Sequence, residues 1–200
     1  MREALQEEMR RDSAVFIIGE DIAEAGTPFK VLAGLVEEFG TGRVIDSPIS
    51  EAGIVGMAVG AAMTNSRPVV DIMFGDFLTL IMDQIVNQAA KIHYMSGGKW
   101  RVPLVIRTTL GATRRSAAQH SQSLHAWVSH VPGLKVVLPA TPYDAKGLLI
   151  AAIEDDLVRL NARPFGQVRD GDRDRNIRPG PRETRIAPYG PGRFPSTMGC

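Results

Sequence analysis

One carboxylate, Glu51, opens a stretch otherwise made of small and apolar residues, Ala52-Gly53-Ile54-Val55-Gly56-Met57-Ala58-Val59-Gly60-Ala61-Ala62-Met63. It follows the turn Ser47-Pro48-Ile49-Ser50, which places it on the first turn of a helix with Ser50 as a natural N-cap. Two readings stand side by side. The helix dipole favours an acid in a first turn; alternatively, Glu51 handles a proton, because a lone charge on a nearly apolar helix is costly without a polar partner. Gly53, Gly56 and Gly60 favour the second, since each costs about 1 kcal/mol against alanine in a helix interior. Their presence predicts the close approach of another backbone or a cofactor along that face. A second cluster, Gln119-His120-Ser121-Gln122, sets an imidazole that can act near neutral pH among polar neighbours. His120, His125 and His130 recur every five residues, about 140° apart on a helix, so they share no face for a metal. The sole cysteine is Cys200, the last residue, which excludes an internal disulfide, a cysteine zinc site and a thiol nucleophile in a cleft. Gly40-Thr41-Gly42 lacks the third glycine of a dinucleotide fingerprint, and there is no phosphate loop and no Gly-x-Ser-x-Gly elbow. Asp170-Gly171-Asp172-Arg173-Asp174 starts with calcium-loop spacing but lacks the following glycine and the closing glutamate.

The elements that must position these groups follow from the hydrophobic pattern. Short apolar runs at residues 15–18, 44–46, 68–73, 102–107 and 135–138 predict buried strands. Helical spacing predicts helices over 4–9, 29–39, 51–63, 78–94 and 121–130, and a last one opened by Pro142. Strands alternating with helices argue an α/β fold: three layers, a mainly parallel sheet with helices on both faces. Ligands of such sheets sit at the carboxyl ends of the strands. Those ends hold Glu20, residues 46–51, residues 74–77 and residues 108–120.

Composition divides the chain. Of 200 residues, 44% are hydrophobic and 22% charged, the balance of a globular chain. The net charge of +1 gives no field that would recruit nucleic acid. No apolar stretch is long enough to span a membrane, and the acidic start has no signal or transit character; a cytoplasmic protein is expected. Residues 1–156 carry a net −4, whereas residues 157–200 carry nine arginines, no lysine and four acids, a net +5. The second segment also has six prolines and six glycines. We therefore expect a folded domain over 1–156 and a disordered tail over 157–200.

The block from Ile45 to Met63 resembles the β subunit of the E1 component of 2-oxo acid dehydrogenase complexes, of pyruvate, branched-chain or acetoin type. The same resemblance runs through Gly19-Glu20-Asp21, Asp83-Gln84-Ile85, Asn87-Gln88-Ala89-Ala90-Lys91, Tyr94-Met95-Ser96-Gly97-Gly98, Ala118-Gln119-His120-Ser121-Gln122, Pro132-Gly133-Leu134 and Pro142-Tyr143-Asp144-Ala145. It implies a transketolase-like pyrimidine-binding domain for thiamine diphosphate. Glu51 would then bond N1′ of the aminopyrimidine, with Ile49 and Phe77 as further cofactor contacts. His120 would aid acyl transfer to the lipoyl arm of the E2 acyltransferase. Leu104, Ala152, Ile153 and Asp155 match positions that hold a structural potassium ion, largely through backbone oxygens. The diphosphate and Mg2+ would be held by an E1 α subunit, in a heterotetramer with a second β subunit.

Departures qualify the resemblance. Leu80 stands where many relatives carry a polar residue. After Asp156 the chain reads Leu157-Val158-Arg159-Leu160-Asn161, where relatives continue with Asn-Pro and a strand. The abrupt change looks like a shifted reading frame. We expect a truncated subunit without its last strand and carboxyl-terminal domain. A non-catalytic remnant is one alternative; a transketolase or deoxyxylulose-phosphate synthase domain is another, disfavoured by the 94–98 and 118–122 blocks.

Overall fold

A computed structural model describes residues 1–112, 116–156 and 158–164. Its strands are β1 (Val15–Gly19), β2 (Val44–Asp46), β3 (Arg67–Ile72), β4 (Val105–Leu110), β5 (Lys135–Val137) and β6 (Arg159–Pro164). They form one sheet in the order β2-β1-β3-β4-β6-β5, every neighbouring pair parallel. The helices are α1 (Arg2–Arg11), α2 (Leu35–Phe39), α3 (Glu51–Met63), α4 (Ala90–Met95), α5 (His125–Ser129) and α6 (Pro142–Glu154).

Alternation along each strand sends side chains to two separate cores. Ile17, Val69 and Val105 pack with Ala4, Leu5 and Met9 of α1 and Leu149, Ala152 and Ile153 of α6. Their neighbours Ile18, Val70 and Ile106 pack with Ile54, Val55 and Ala58 of α3, and with Ile81 and Ile85. The central strands β1, β3 and β4 are buried on both faces, as continuous apolar runs require, whereas the edge strands β2 and β5 are partly exposed. This is the three-layer parallel α/β arrangement expected from the sequence.

Several local expectations are corrected. The helix expected over 29–39 is only α2, because Gly26, Thr27, Lys30 and Gly34 all take positive φ and hold residues 20–34 in an irregular loop. The helix expected over 78–94 is broken into a 3-10 segment (Gly75–Ile81), a π-type segment (Asp83–Ala89) and α4. That change of pitch keeps Leu78, Ile81, Ile85 and Ala89 all buried. The helix expected over 121–130 shortens to α5. α6 starts as expected at Pro142, under a capping box formed by Thr141 and Asp144.

The largest correction is β6. The domain boundary expected at Asp156 left this strand out, yet Arg159–Pro164 fills the position between β4 and β5. Val158 and Leu160, both 3% exposed, deliver the apolar contacts. Val105 pairs with Arg159 and Lys135 with Arg159 in the same register. Leu160 is the one large apolar residue of the strand, with Val158 just before it, and arginine-rich neighbours hide them in the composition. The rest of the expected disordered tail, with its calcium-like spacing at 170–174, lies outside the described residues.

Candidate active site

Because all strands run parallel, their carboxyl ends share one edge of the sheet, where Glu20, Asp46, Glu51, Phe77 and His120 follow their strands in sequence. Asp46 organises the first loop. Its Oδ1 accepts the amides of Ile22 and Ala23 at 2.6 and 2.8 Å, and Oδ2 accepts that of Glu24 at 3.4 Å. The Ser47 amide closes the corner by donating to the Gly19 carbonyl at 2.9 Å. Gly19 is required there, since a Cβ would meet Cβ and the carbonyl oxygen of Asp71 at 2.9 Å each.

Glu51 lies on the first turn of α3, 9% exposed. Ser50 precedes it as the N-cap residue but makes no side-chain capping bond, contrary to expectation. Beside Glu51 stands Glu20, 8% exposed, whose Oε1 is buried and finds no hydrogen-bond partner among the described residues. Burial pushes the Glu20 carboxyl above the usual carboxylate range. The nearby Glu51 and Asp21 charges add to the rise, and the Ser50 backbone amide opposes it. Two carboxyl groups are thus gathered in a dry corner, one of them with an acceptor oxygen to spare. The sequence marks Glu20 only as a strand-end residue of the Gly19-Glu20-Asp21 block, because its electrostatic partner Glu51 lies far along the chain.

His120 ends a short 3-10 turn (Ala118–His120). Its ring stands edge-on to Phe74, with centroids 4.6 Å apart, and to Phe77, at 5.5 Å. Phe74 and Phe77 touch each other at 5.8 Å, and Phe29 reaches Phe74 at 5.7 Å. The structure therefore brings Phe77 and His120 together. Ile49 is 84% exposed and Leu80 53% exposed. A Cβ at Gly53 would meet the Ser50 Oγ at 2.7 Å, but further along α3 the face is open: among the described residues nothing lies within 4 Å of a Cβ at Gly60, and only Gln84 Cγ, at 3.9 Å, is near Gly56. None of the described backbone makes the close approach that the glycines led us to expect.

Leu104, Ala152, Ile153 and Asp155 fall at the opposite, amino-terminal edge, before β4 and at the end of α6. The Ile153 and Asp155 carbonyls accept Arg67 Nη1 at 2.9 and 3.2 Å, and Asp155 Oδ2 pairs with Lys135 at 2.7 Å. Two of the oxygens expected for potassium already meet a cation of the chain itself. Among the described residues there is no cluster of three His, Cys, Asp or Glu side chains that could hold a metal, and no helix long and apolar enough to cross a membrane.

The family model described as transketolase, pyrimidine binding domain, matches residues 1–161. The chain belongs to that family. Its sequence is similar to the β subunit of acetoin:2,6-dichlorophenolindophenol oxidoreductase of Bacillus subtilis, 52% identical over 78% of this chain and 49% of the relative. It is 54% identical to the pyruvate dehydrogenase E1 component subunit beta of Rickettsia bellii, over 78% of this chain and 48% of that one. Against the 2-oxoisovalerate dehydrogenase subunit beta of Bacillus subtilis it is 48% identical, over 76% and 47%. The chain spans about half the length of the curated relatives it matches. A solved structure titled split gene transketolase, inactive beta4 tetramer, shares the fold with a TM-score of 0.66 at 17% identity, over 84% of this chain and 51% of that one.

Proposed function

We propose that this chain supplies the aminopyrimidine-binding half of a thiamine diphosphate site in a 2-oxo acid dehydrogenase E1, as its β subunit. The observation that carries this reading is the placement of Glu51: a nearly buried carboxylate on the first turn of α3, beside the spare acceptor oxygen of Glu20. A ring nitrogen that must gain and lose a proton fits such a corner, and a dry setting strengthens the bond it would make. When bound, the cofactor supplies the carbanion chemistry that decarboxylation of an oxo acid needs and side chains lack.

In this reading Glu51 holds the proton at N1′ of the aminopyrimidine. Phe77 and Ile49 offer apolar surface to the ring, and Ile49 is exposed enough to be covered by a ligand or partner. His120, held edge-on to Phe74 and Phe77, presents an imidazole at the same edge of the sheet for acyl transfer to the lipoyl arm of E2. An α subunit would hold the diphosphate and Mg2+, and a second β subunit would complete a heterotetramer. The activity assigned is oxidative decarboxylation of pyruvate or a branched-chain 2-oxo acid, or, for an acetoin-type substrate, oxidative carbon–carbon cleavage without loss of CO2.

The test is reconstitution with a compatible α subunit, followed by turnover with an artificial electron acceptor. Glu51→Gln should lower turnover by about 10²–10⁴, the range for a group that moves a proton in the reaction. Undiminished turnover in that variant would remove Glu51 from the mechanism. Calorimetry of cofactor binding provides a second readout, with weaker affinity expected for the variant.

A further inference from the structure

The loop that carries His120 is tied to the segment that carries Phe77 by one side chain, Asp76. This carboxylate is 6% exposed, and its Oδ1 accepts two hydrogen bonds from one residue: the Gln122 amide at 3.2 Å and Gln122 Nε2 at 2.8 Å. The Gln122 carbonyl in turn accepts the Gly111 amide at 3.1 Å, at the end of β4. On the other side, Asp76 is fixed by its own segment. Thr79 Oγ1 donates to its carbonyl at 3.0 Å. Thr109 Oγ1 of β4 donates to the Met73 carbonyl at 2.6 Å. The backbone approaches β4 so closely at Gly75 that a Cβ there would overlap the Leu110 side chain.

The opposite end of the tie needs such an anchor. Ala117, just before the His120 turn, takes φ +66, a conformation that costs a non-glycine residue about 1 kcal/mol or more and persists only where its surroundings enforce it. Nothing in local propensity would keep residues 117–122 in that shape. The Asp76–Gln122 bonds supply the constraint, and the ring contacts of His120 with Phe74 and Phe77 follow from it.

We infer that Asp76 is the positioning residue for His120: through Gln122 it locks the imidazole against Phe74 and Phe77, in one rigid frame with the cofactor-facing side of the site. This rests on the reading of His120 as the acyl-transfer group. Asp76 touches no reacting atom in this arrangement. Its role is to spare His120 the loss of orientation that costs a misplaced catalytic group its effectiveness.

The experiment pairs a spectroscopic readout on the chain assembled with a compatible α subunit with kinetics of the same reconstituted enzyme, for Asp76→Ala, Asp76→Asn and Gln122→Ala. In the native chain the C–H protons of His120 should be displaced by the ring currents of Phe74 and Phe77. In Asp76→Ala that displacement should collapse, and in Gln122→Ala, which loses the Nε2 bond but keeps the backbone amide on Asp76, it should shrink measurably. Asp76→Asn keeps an acceptor oxygen and should retain it. Acylation of lipoyl should fall about tenfold or more beyond any fall in artificial-acceptor turnover in the Ala variants, a modest share of the 10²-fold that a displacement near 1 Å can cost. Asp76→Asn should show no such split. Should Asp76→Ala fail to fold, Gln122→Ala carries the same test. Native-like His120 signals in both Ala variants would overturn the inference. His120→Ala separates the two levels. If that variant acylates lipoyl normally while Asp76→Ala still frees the ring, the tie is upheld and the role given to His120 falls.

Discussion

Glu20 and Glu51 lie close enough for their charges to repel, one at the carboxyl end of β1 and one on the first turn of α3, each less than a tenth exposed. The arrangement has a measurable pH signature. Burial raises the Glu20 carboxyl above its ordinary value of 4.5, so the folded chain holds a proton there that the unfolded chain has released. The folded state binds more protons between the ordinary and the raised value, and stability must fall as pH rises through that window. Below it the penalty is absent; above it the penalty is complete. Glu20→Gln removes the penalty, so its thermal midpoint should exceed that of the native chain at neutral pH and converge with it below about pH 4. Equal midpoints at neutral pH would show that the corner is wetter than the structure indicates.

A second buried pair lies one strand further in. Asp71 and Arg107 occupy paired positions of β3 and β4, 6% and 5% exposed at their side chains, and form an ion pair. Removing one partner strands the other charge in the interior, which costs about 3–5 kcal/mol. Arg107→Leu and Asp71→Leu should each lower the urea midpoint strongly. The double variant should be less destabilised than the sum of the two, because no uncompensated charge remains. Additive losses would mean that other contacts of each residue dominate.

Gly60 permits an opposite prediction. It sits inside α3, exposed, and a methyl group added at its Cα would meet nothing within 4 Å among the described residues, so their packing has no need of a glycine there. Gly60→Ala should therefore stabilise the isolated chain, by about 0.4–1 kcal/mol in denaturant unfolding. If another chain packs on this face, where Gly56, Gly60, Met63 and Gln88 line a groove, the same methyl should weaken assembly with the α subunit. A destabilised isolated chain would show that the glycine answers to its own fold after all.

These cases also mark what the sequence could disclose. Short β-branched and aromatic runs such as Val15-Phe16-Ile17-Ile18, closed by a glycine, read as buried strands, so the parallel sheet was legible in the sequence. Glu51 was legible because it is the one acid in a helix of small and apolar residues. Glu20 and Asp76 were not, since each is defined by a partner distant in the chain: Glu51 for the first, Gln122 for the second. β6 was obscured by composition, where a Val158-x-Leu160 alternation among arginines carries too little hydrophobic signal to outweigh its surroundings. The break between the 3-10 and π-type segments was invisible for a different reason. Periodicity specifies which residues are buried, and a change of helical pitch buries the same residues by another path.

The last prediction concerns the chain by itself. Ile49 is 84% exposed, Tyr94 76%, Met95 63% and Trp127 57%, and the open face of α3 adds Met57 at 50%. Apolar surface on that scale is what partner subunits cover, and without them it promotes association. In the proposed site this chain also contributes only the pyrimidine contacts, so the interactions that would hold the diphosphate and Mg2+ are missing. The isolated chain should therefore sediment as oligomers or aggregates and show negligible affinity for thiamine diphosphate by calorimetry. Addition of a compatible α subunit should restore both a defined mass and cofactor binding. A monomer that binds the cofactor tightly in a magnesium-dependent manner would overturn the half-site assignment, because the diphosphate contacts would then have to come from this chain alone.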